Sequence, residues 1–170
     1  NRPMRDERIH YFFGLLPFLV GGQAGGVRFE MMMAEIQPIA DGESIVAVTG
    51  RTVFAHDGDI ASRVRSMEIA RKYRARPRRT SLANGPCSMF HRASLLTIGG
   101  FNPEWYHAED MEVSLRLISN RGTIIYAPGA VVNHVPEVER KRFLAKRKRD
   151  ARAHVRILRH FPRRKRIGPG

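Results

Sequence analysis

The sequence predicts a mixed α/β fold, because apolar patterns typical of strands alternate with helical patterns along the chain. Its 170 residues match the size of one ordinary domain. Hydrophobic residues make up 42% of the chain, which argues against global disorder. We therefore expect an α/β layer with at least a partly parallel sheet.

The first part of the chain predicts a buried segment followed by a helix. The run YFFGLLPFLVGG is about half of the roughly 20 residues that a membrane-spanning helix needs, so we expect a buried segment or a contact with a membrane surface. Phe29, Met32, Met33 and Ile36 then recur at helical spacing, and Pro38 ends the pattern. The chain begins with Asn1, and we expect a piece of a longer protein.

A buried strand and a second helix come next. The run SIVAVTGRTVF is rich in β-branched residues, and Gly50 within it indicates a bend or the close approach of another group. The segment DGDIASRVRSMEIARKY predicts a turn, a cap at Asp59 and a helix. Its apolar residues fall at helical spacing: Ile60, Val64, Met67 and Ile69.

Short elements then lead into a third, longer helix. NGP predicts a turn, CSMF a short strand, and RASLLTI a short helix closed by Gly99 and Gly100. From residue 109 to 121 the pattern is again helical, with a Glu112 to Arg116 pair at i,i+4 and Gly122 as the C-cap.

After this helix, TIIYAPGAVVNH predicts a strand, a Pro-Gly turn and a second strand that ends at His134.

Positive charge is concentrated at the C-terminus. The chain has a formal charge of +14, and residues 137–170 hold 14 Lys/Arg against 3 acids. A second basic run, RKYRARPRR, covers residues 71–79. Such runs attract phosphates of RNA, of anionic lipids or of a nucleotide, although a solvated helix face has the same composition. Cys87 is the only cysteine, which fits a reducing compartment.

Two adjacent carboxylates form the clearest candidate for chemistry. Glu109 and Asp110 fall in the first turn of the third helix, where the helix dipole favours an ionised carboxylate. Acids at this position are common and stabilising by themselves. The preceding loop, however, contains Trp105, Tyr106 and His107, which are residue types that grip a sugar or a nucleotide. A carboxylate there could take a proton from an attacking hydroxyl.

The segment from GPCSMF to VVNHVP resembles the C-terminal half of the catalytic domain of family-2 glycosyltransferases, inverting enzymes of the GT-A fold. The similar features, in order, are a Gly-x-Cys strand, a helix ending in Gly-Gly-Phe, Glu-Asp at a helix start, and a strand ending in His. The resemblance is strongest over residues 44–136. It implies a partial GT-A domain with a mixed sheet over residues 1–136 and a basic helical tail over residues 137–170.

The resemblance also implies roles for individual residues. Asp110 falls on the general base that deprotonates the acceptor hydroxyl, and Glu109 on its partner. Substrate contacts are implied for Trp105, Tyr106, Gly85, Cys87 and Arg116.

A divalent cation, Mn or Mg, is implied as cofactor, with His134 as a ligand. A single His is more often structural, so both roles stay open for His134. The family's Asp-x-Asp motif is not found in residues 1–43. The letters DGD at residues 57–59 fit better as a turn before a helix than as that motif.

The implied function is the transfer of a sugar from a UDP- or GDP-sugar donor, with inversion, to a glycan or lipid-linked acceptor. This chain would carry the acceptor and general-base half, and an isolated fragment could be inactive. We expect a cytoplasmic enzyme of cell-envelope polysaccharide synthesis, peripheral at the inner face of the membrane, with the basic tail on anionic lipid. The alternatives are a nucleic-acid-binding protein, disfavoured because no RNA or DNA motif is present, and a non-catalytic remnant.

Overall fold

A mixed five-stranded sheet organises the described part of the chain. The computed structural model describes residues 11–13, 34, 44–54, 60–105, 107–134 and 140–161. The strands are β1 (Tyr11–Phe13), β2 (Ile45–Phe54), β3 (Arg79–Thr80), β4 (Ser88–His91) and β5 (Thr123–His134). The helices are α1 (Ile60–Arg74), α2 (Arg92–Thr97), α3 (Glu109–Ser119) and α4 (Arg140–His160). The predicted mixed α/β class, consistent with a partial GT-A fold, is confirmed.

The central strand pair of the sheet is parallel. The strand order is β1-β4-β2-β5-β3, and β2 runs parallel to β5, whereas the other neighbouring strands are antiparallel. A helix, α1, follows β2, and two more helices precede β5, which is the arrangement that parallel pairing requires. The sheet is therefore partly parallel, as expected. Of the helix predicted around Met32, only Ala34 lies within the described residues.

Strand β5 is continuous, and the prediction of two strands separated by a Pro-Gly turn is wrong. Tyr126 pairs with Thr49 and Val131 pairs with Arg51, so that both halves of β5 run along the same partner in the same direction. A reversing turn would have produced a hairpin, but the residues between Tyr126 and Val131 form an irregularity within one strand.

Gly50 lies opposite this irregularity, where the backbone of β5 comes close. A Cβ atom at Gly50 would overlap the carbonyl oxygen of Ala130 and Sγ of Cys87. The predicted close approach at Gly50 is thus confirmed, and it explains why a residue without a side chain stands in the middle of a buried strand.

Helix α3 ends two residues earlier than the sequence predicts, and its C-cap is Asn120 rather than Gly122. Arg121 adopts the left-handed conformation, with φ of 63°. The amide of Gly122 donates to the carbonyl of Leu117 at 3.0 Å, which completes a Schellman-type end. Gly122 is needed because a Cβ there would overlap Val46 and the Leu117 carbonyl.

Helix α4 is joined to the domain through its C-terminal end. Ile157 and Phe161 are buried together with Trp105 and Leu115 in one cluster. Val155 and Leu158, on the same helix, are instead exposed. Among the described helices, none is long and apolar enough to cross a membrane.

Helix α1 forms where predicted, but its apolar residues do not join the core. Ile60, Val64 and Met67 are 79%, 60% and 68% exposed. The pattern thus identified the helix correctly, while the face that carries these residues is open.

Candidate active site

Asp110 lies in the first turn of α3, against the turn that precedes β4. Its Oδ1 accepts a hydrogen bond from the amide of Met111 at 2.8 Å, and its Oδ2 accepts one from the amide of Gly85 at 3.4 Å. One helical turn later, the Ser114 hydroxyl donates to the Asp110 carbonyl at 2.6 Å and accepts from the amide of Ala83 at 3.0 Å. Two contacts therefore dock the start of α3 on residues 83–85.

The environment of Asp110 favours the neutral carboxyl. Burial raises the pKa of Asp110, and the negative charge of Glu109 raises it further, against the opposing effect of the amides of Gly85 and Met111. Glu109 itself is exposed at the head of the helix. A carboxylate with a raised pKa is a stronger base once it is ionised, which suits it to remove a proton from a hydroxyl.

Arg76 is a half-buried cation beside this site that sequence reasoning did not single out. Its Nε donates to the Thr80 hydroxyl at 2.9 Å, one terminal nitrogen donates to Oδ1 of Asn84 at 3.2 Å, and the other donates to the Leu82 carbonyl. In the sequence, Arg76 is one of six basic residues in a nine-residue run, and nothing there distinguishes it from its exposed neighbours.

The guanidinium of Arg76 also faces two aromatic rings and one carboxylate. It lies 5.6 Å from the ring centre of Tyr73 and 5.3 Å from that of Tyr126. Burial lowers the pKa of Arg76, while the charges of Tyr73, Tyr126 and Asp110 raise it. Arg76 and Asp110 are thus within electrostatic reach of each other.

Asn84 connects Arg76 to β2 through a buried polar network. Its Oδ1 accepts from the Thr49 hydroxyl as well as from Arg76, and its Nδ2 donates to the Thr52 hydroxyl at 3.2 Å. The amide of Asn84 donates to Thr49 Oγ1 at 3.1 Å, and the Ser88 hydroxyl donates to the same oxygen at 2.9 Å. This network fixes the turn that carries Gly85, whereas the sequence indicated only a turn.

Trp105 has no open face for a sugar, contrary to the role implied for it. Its side chain is buried, with the guanidinium of Arg156 4.0 Å from the ring centre and the His160 ring 5.1 Å away. Its contacts with the C-terminal end of α4 make it a docking residue for that helix. Tyr106 lies outside the described residues. His107 adopts a φ of 77°, which turns the chain into α3.

Cys87 and Arg116 also contact the protein rather than an open site. Cys87 is buried with its Sγ 3.7 Å from the Ala130 carbonyl. Arg116 donates to both carboxylate oxygens of Glu112 at 2.6 and 2.7 Å, and to the carbonyls of Ile98 and Gly100 at 2.6 Å each. The predicted i,i+4 ion pair is confirmed. Through these contacts Arg116 holds the loop that contains Gly99 and Gly100 against α3. They give no support to the predicted substrate contact of Arg116.

The metal site implied by the resemblance is not complete in the described residues. Within them, no three His, Cys, Asp or Glu side chains lie close enough together to hold a metal ion. Residues 57–59 lie outside this part of the chain. His134 ends β5, but its side chain is likewise outside it. The cation role of His134 therefore stays a prediction.

Together, the mixed sheet and the carboxylate at the start of α3 define an α/β enzyme domain with a candidate general base. The family model described as "Glycosyl transferase family group 2" matches residues 29–167, and the chain belongs to this family. It is therefore a glycosyltransferase domain, as the resemblance predicted.

The match runs past residue 136, so the family pattern includes α4, which the sequence interpretation assigned to a separate tail. Family-2 glycosyltransferases commonly use divalent cations, nucleotide-sugar donors and an acceptor. No curated protein matches the chain.

Proposed function

We propose that this chain carries the acceptor and general-base part of an inverting transferase that uses a UDP- or GDP-sugar. The observation that carries the proposal is the position of Asp110, a largely buried carboxyl held at the start of α3 by the amides of Met111 and Gly85. A single base suffices for inversion, because the displacement at the anomeric carbon takes place in one step.

In the proposed reaction, ionised Asp110 accepts the proton of the acceptor hydroxyl. The hydroxyl oxygen forms a bond to the anomeric carbon from one side, while the bond to the nucleoside diphosphate breaks on the other side and the electron pair leaves with the diphosphate. Glu109, exposed one residue earlier, lies where it can orient the acceptor. A bound Mn²⁺ or Mg²⁺ would neutralise charge on the leaving diphosphate.

The first test is binding of the donor nucleotide. Calorimetric titration of the chain with UDP or GDP and Mn²⁺ compares the wild type with His134→Ala. Saturable, metal-dependent binding that the substitution weakens would support a donor site in this chain with His134 as a ligand. A folded chain that binds neither nucleotide would show that donor binding belongs to another part of a longer protein.

The second test is catalysis. Release of nucleoside diphosphate from UDP- and GDP-sugars is measured with glycan and lipid-linked acceptors, and the product's anomeric configuration is read by proton NMR. We expect Asp110→Asn to lower kcat by about 10²-fold or more. Asp150→Asn on α4 is the matched control and leaves the rate unchanged. A product with retained configuration, or an active Asp110→Asn variant, would refute the assignment. A folded chain that binds the donor nucleotide but transfers no sugar would favour a non-catalytic remnant.

For the location, we propose a membrane surface, with α4 lying on anionic lipid. This helix has ten Lys/Arg and one acid, and its exposed apolar residues are Leu144, Val155 and Leu158. We expect co-sedimentation with phosphatidylglycerol vesicles but not with phosphatidylcholine vesicles, weakened by Leu144→Ser with Val155→Ser. RNA that binds more tightly than the anionic vesicles would favour the nucleic-acid alternative.

A further inference from the structure

A groove of about 1120 Å³ lies between α1, the end of β2 and the middle of β5. One wall is α1, and the other includes Arg51, Thr52 and Tyr126. Arg76 also lines the groove. Arg76 donates to Asn84, and the amide of the next residue, Gly85, contacts Asp110, so this groove adjoins the candidate active site.

The wall formed by α1 divides into an apolar half and a cationic half. Val64, Met67, Arg71 and Arg74 follow one another at spacings of three and four residues, which places them along one face of the helix, and all four line the groove. Val64 and Met67 are 60% and 68% exposed, and both arginines are exposed as well. The face therefore presents an open apolar surface for about one turn and then two guanidinium groups.

Among the described residues that line the cationic half of the groove, arginines outnumber acidic side chains. Arg51 and Arg78 line it in addition to the arginines of α1. The acidic side chain among the described lining residues is Glu68, and it is already paired with Lys72 at 3.8 Å and Arg147 at 3.2 Å. Guanidinium groups bind phosphate oxygens through paired hydrogen bonds, so this end of the groove is suited to a phosphate or diphosphate.

We propose that the groove binds the acceptor, and that the acceptor is a lipid-linked saccharide with its phosphate or diphosphate on the arginines and its apolar chain along Val64 and Met67. This inference rests on the proposed function and adds the class of acceptor. The order of groups along the groove carries it. A nucleic acid would use the arginines but leave the apolar half in water, and so would a soluble glycan with acidic sugars.

The position of Arg76 indicates how the proposed acceptor is oriented in the groove. Arg76 lines the groove, and its guanidinium is already occupied by Thr80, Asn84 and Leu82. It therefore forms a fixed wall rather than a mobile phosphate ligand. In the proposed complex, Arg71 and Arg74 hold the head group, and the attached saccharide extends past Arg76 toward Asp110.

The test is calorimetric titration of the whole chain with three probes below their aggregation limits: farnesyl diphosphate, inorganic pyrophosphate and the neutral detergent dodecyl maltoside. We expect farnesyl diphosphate to bind at least tenfold more tightly than pyrophosphate, since it alone fills both halves. Arg71→Ala with Arg74→Ala should weaken its binding about tenfold or more. Met67→Ser should weaken the binding of farnesyl diphosphate and leave the binding of pyrophosphate unchanged.

Arg63→Ala is the matched control, because Arg63 is an exposed arginine of the same helix that does not line the groove. Circular dichroism checks that each variant is folded. Equal affinities for pyrophosphate and farnesyl diphosphate would overturn the lipid assignment. If Arg63→Ala weakened binding as much as the substitutions of the groove arginines, the binding would be due to the overall positive charge and not to the groove. If single-stranded RNA displaced farnesyl diphosphate at equal affinity, the surface would be assigned to nucleic acid.

The Asp110→Asn variant separates this inference from the proposed function. It should bind farnesyl diphosphate as the wild type does, because Asp110 does not line the groove. If Asp110→Asn bound farnesyl diphosphate as the wild type does and also kept its catalytic activity, the role of Asp110 as the base would be refuted, but the assignment of the groove would not. If the groove variants lost farnesyl diphosphate binding but kept the wild-type rate of sugar transfer, the groove would not be the acceptor site, and the role of Asp110 as the base would be unaffected.

Discussion

The backbone amide of Gly85 lies 3.4 Å from Oδ2 of Asp110, although 25 residues separate the two in the chain. The turn that carries Gly85 is held on its other side by Asn84, whose side chain receives hydrogen bonds from Arg76 and Thr49. The position of the candidate base therefore depends on α1, β2 and the turn before β4 as well as on its own helix.

We expect the stability of Asp110→Asn relative to the wild type to increase as the pH rises. Burial raises the pKa of Asp110, so the folded state binds this proton more tightly than the unfolded state does. The corresponding stability is fully present below the ordinary pKa of an aspartate and is lost as the pH rises through the raised value. Asn removes the charge and one of the two acceptor oxygens. The loss of that oxygen is independent of pH, whereas the difference in unfolding free energy should shift in favour of the variant as the pH rises from about 4 through the raised pKa of Asp110.

Urea denaturation at several pH values between 4 and 8 measures this difference. Asp150→Asn on α4 is the control. A difference between Asp110→Asn and wild type that is independent of pH would contradict the raised pKa.

Arg76→Met should destabilise the chain by about 2–4 kcal/mol, because it leaves Asn84 Oδ1 and the Leu82 carbonyl without their charged donor. The same loss frees the turn around Gly85, so the NMR chemical shift of the Gly85 amide proton should move toward its unstructured value. Arg63→Met, at an exposed position of α1, should change stability by less than about 0.5 kcal/mol. Equal effects of the two substitutions would show that Arg76 contributes only its charge.

Local patterns predicted the elements of this fold well. The β-branched run around Val48, the short helix closed by Gly99 and Gly100, and the start of α3 at Glu109 all form where their sequences indicate. Each of these depends on neighbours within a few residues, and periodicity and capping describe such neighbours directly.

What the sequence could not predict depends on contacts between distant segments. Pro128 reads as part of a turn, but pairing with β2 on both sides keeps β5 one strand. Tryptophan is a residue type that often stacks on sugars, so the sequence suggested this role for Trp105. Only the position of α4 shows that the Trp105 ring is covered. Arg76 is indistinguishable within its basic run, since its burial follows from Tyr73, Tyr126 and the turn at residues 82–84.

Gly50→Ala should be destabilising by about 2–3 kcal/mol, or prevent folding, because the added methyl group would overlap the backbone of Ala130 and the thiol of Cys87. Neither neighbour can move away without shifting β5 or β4. Gly85→Ala is the matched control, since a Cβ at Gly85 meets nothing within 4 Å. Thermal unfolding of the two variants compares them. A Gly50→Ala variant as stable as Gly85→Ala would show that β2 and β5 are farther apart than described.

Trp105→Ala should release the C-terminal end of α4 from the domain. The ring contacts Arg156, His160 and Phe161, so its removal leaves a cavity that α3 and α4 share, at a cost of about 3–5 kcal/mol. Hydrogen exchange distinguishes local release from global unfolding. We expect faster exchange for residues 153–161 and little change in β2, whose amides are protected by the sheet. Leu158→Ser, at a more exposed position of α4, is the control and should leave exchange in this segment unchanged. If exchange in β2 accelerates as much as in α4, the helix is part of one cooperative unit with the sheet, and its docking cannot be separated from folding.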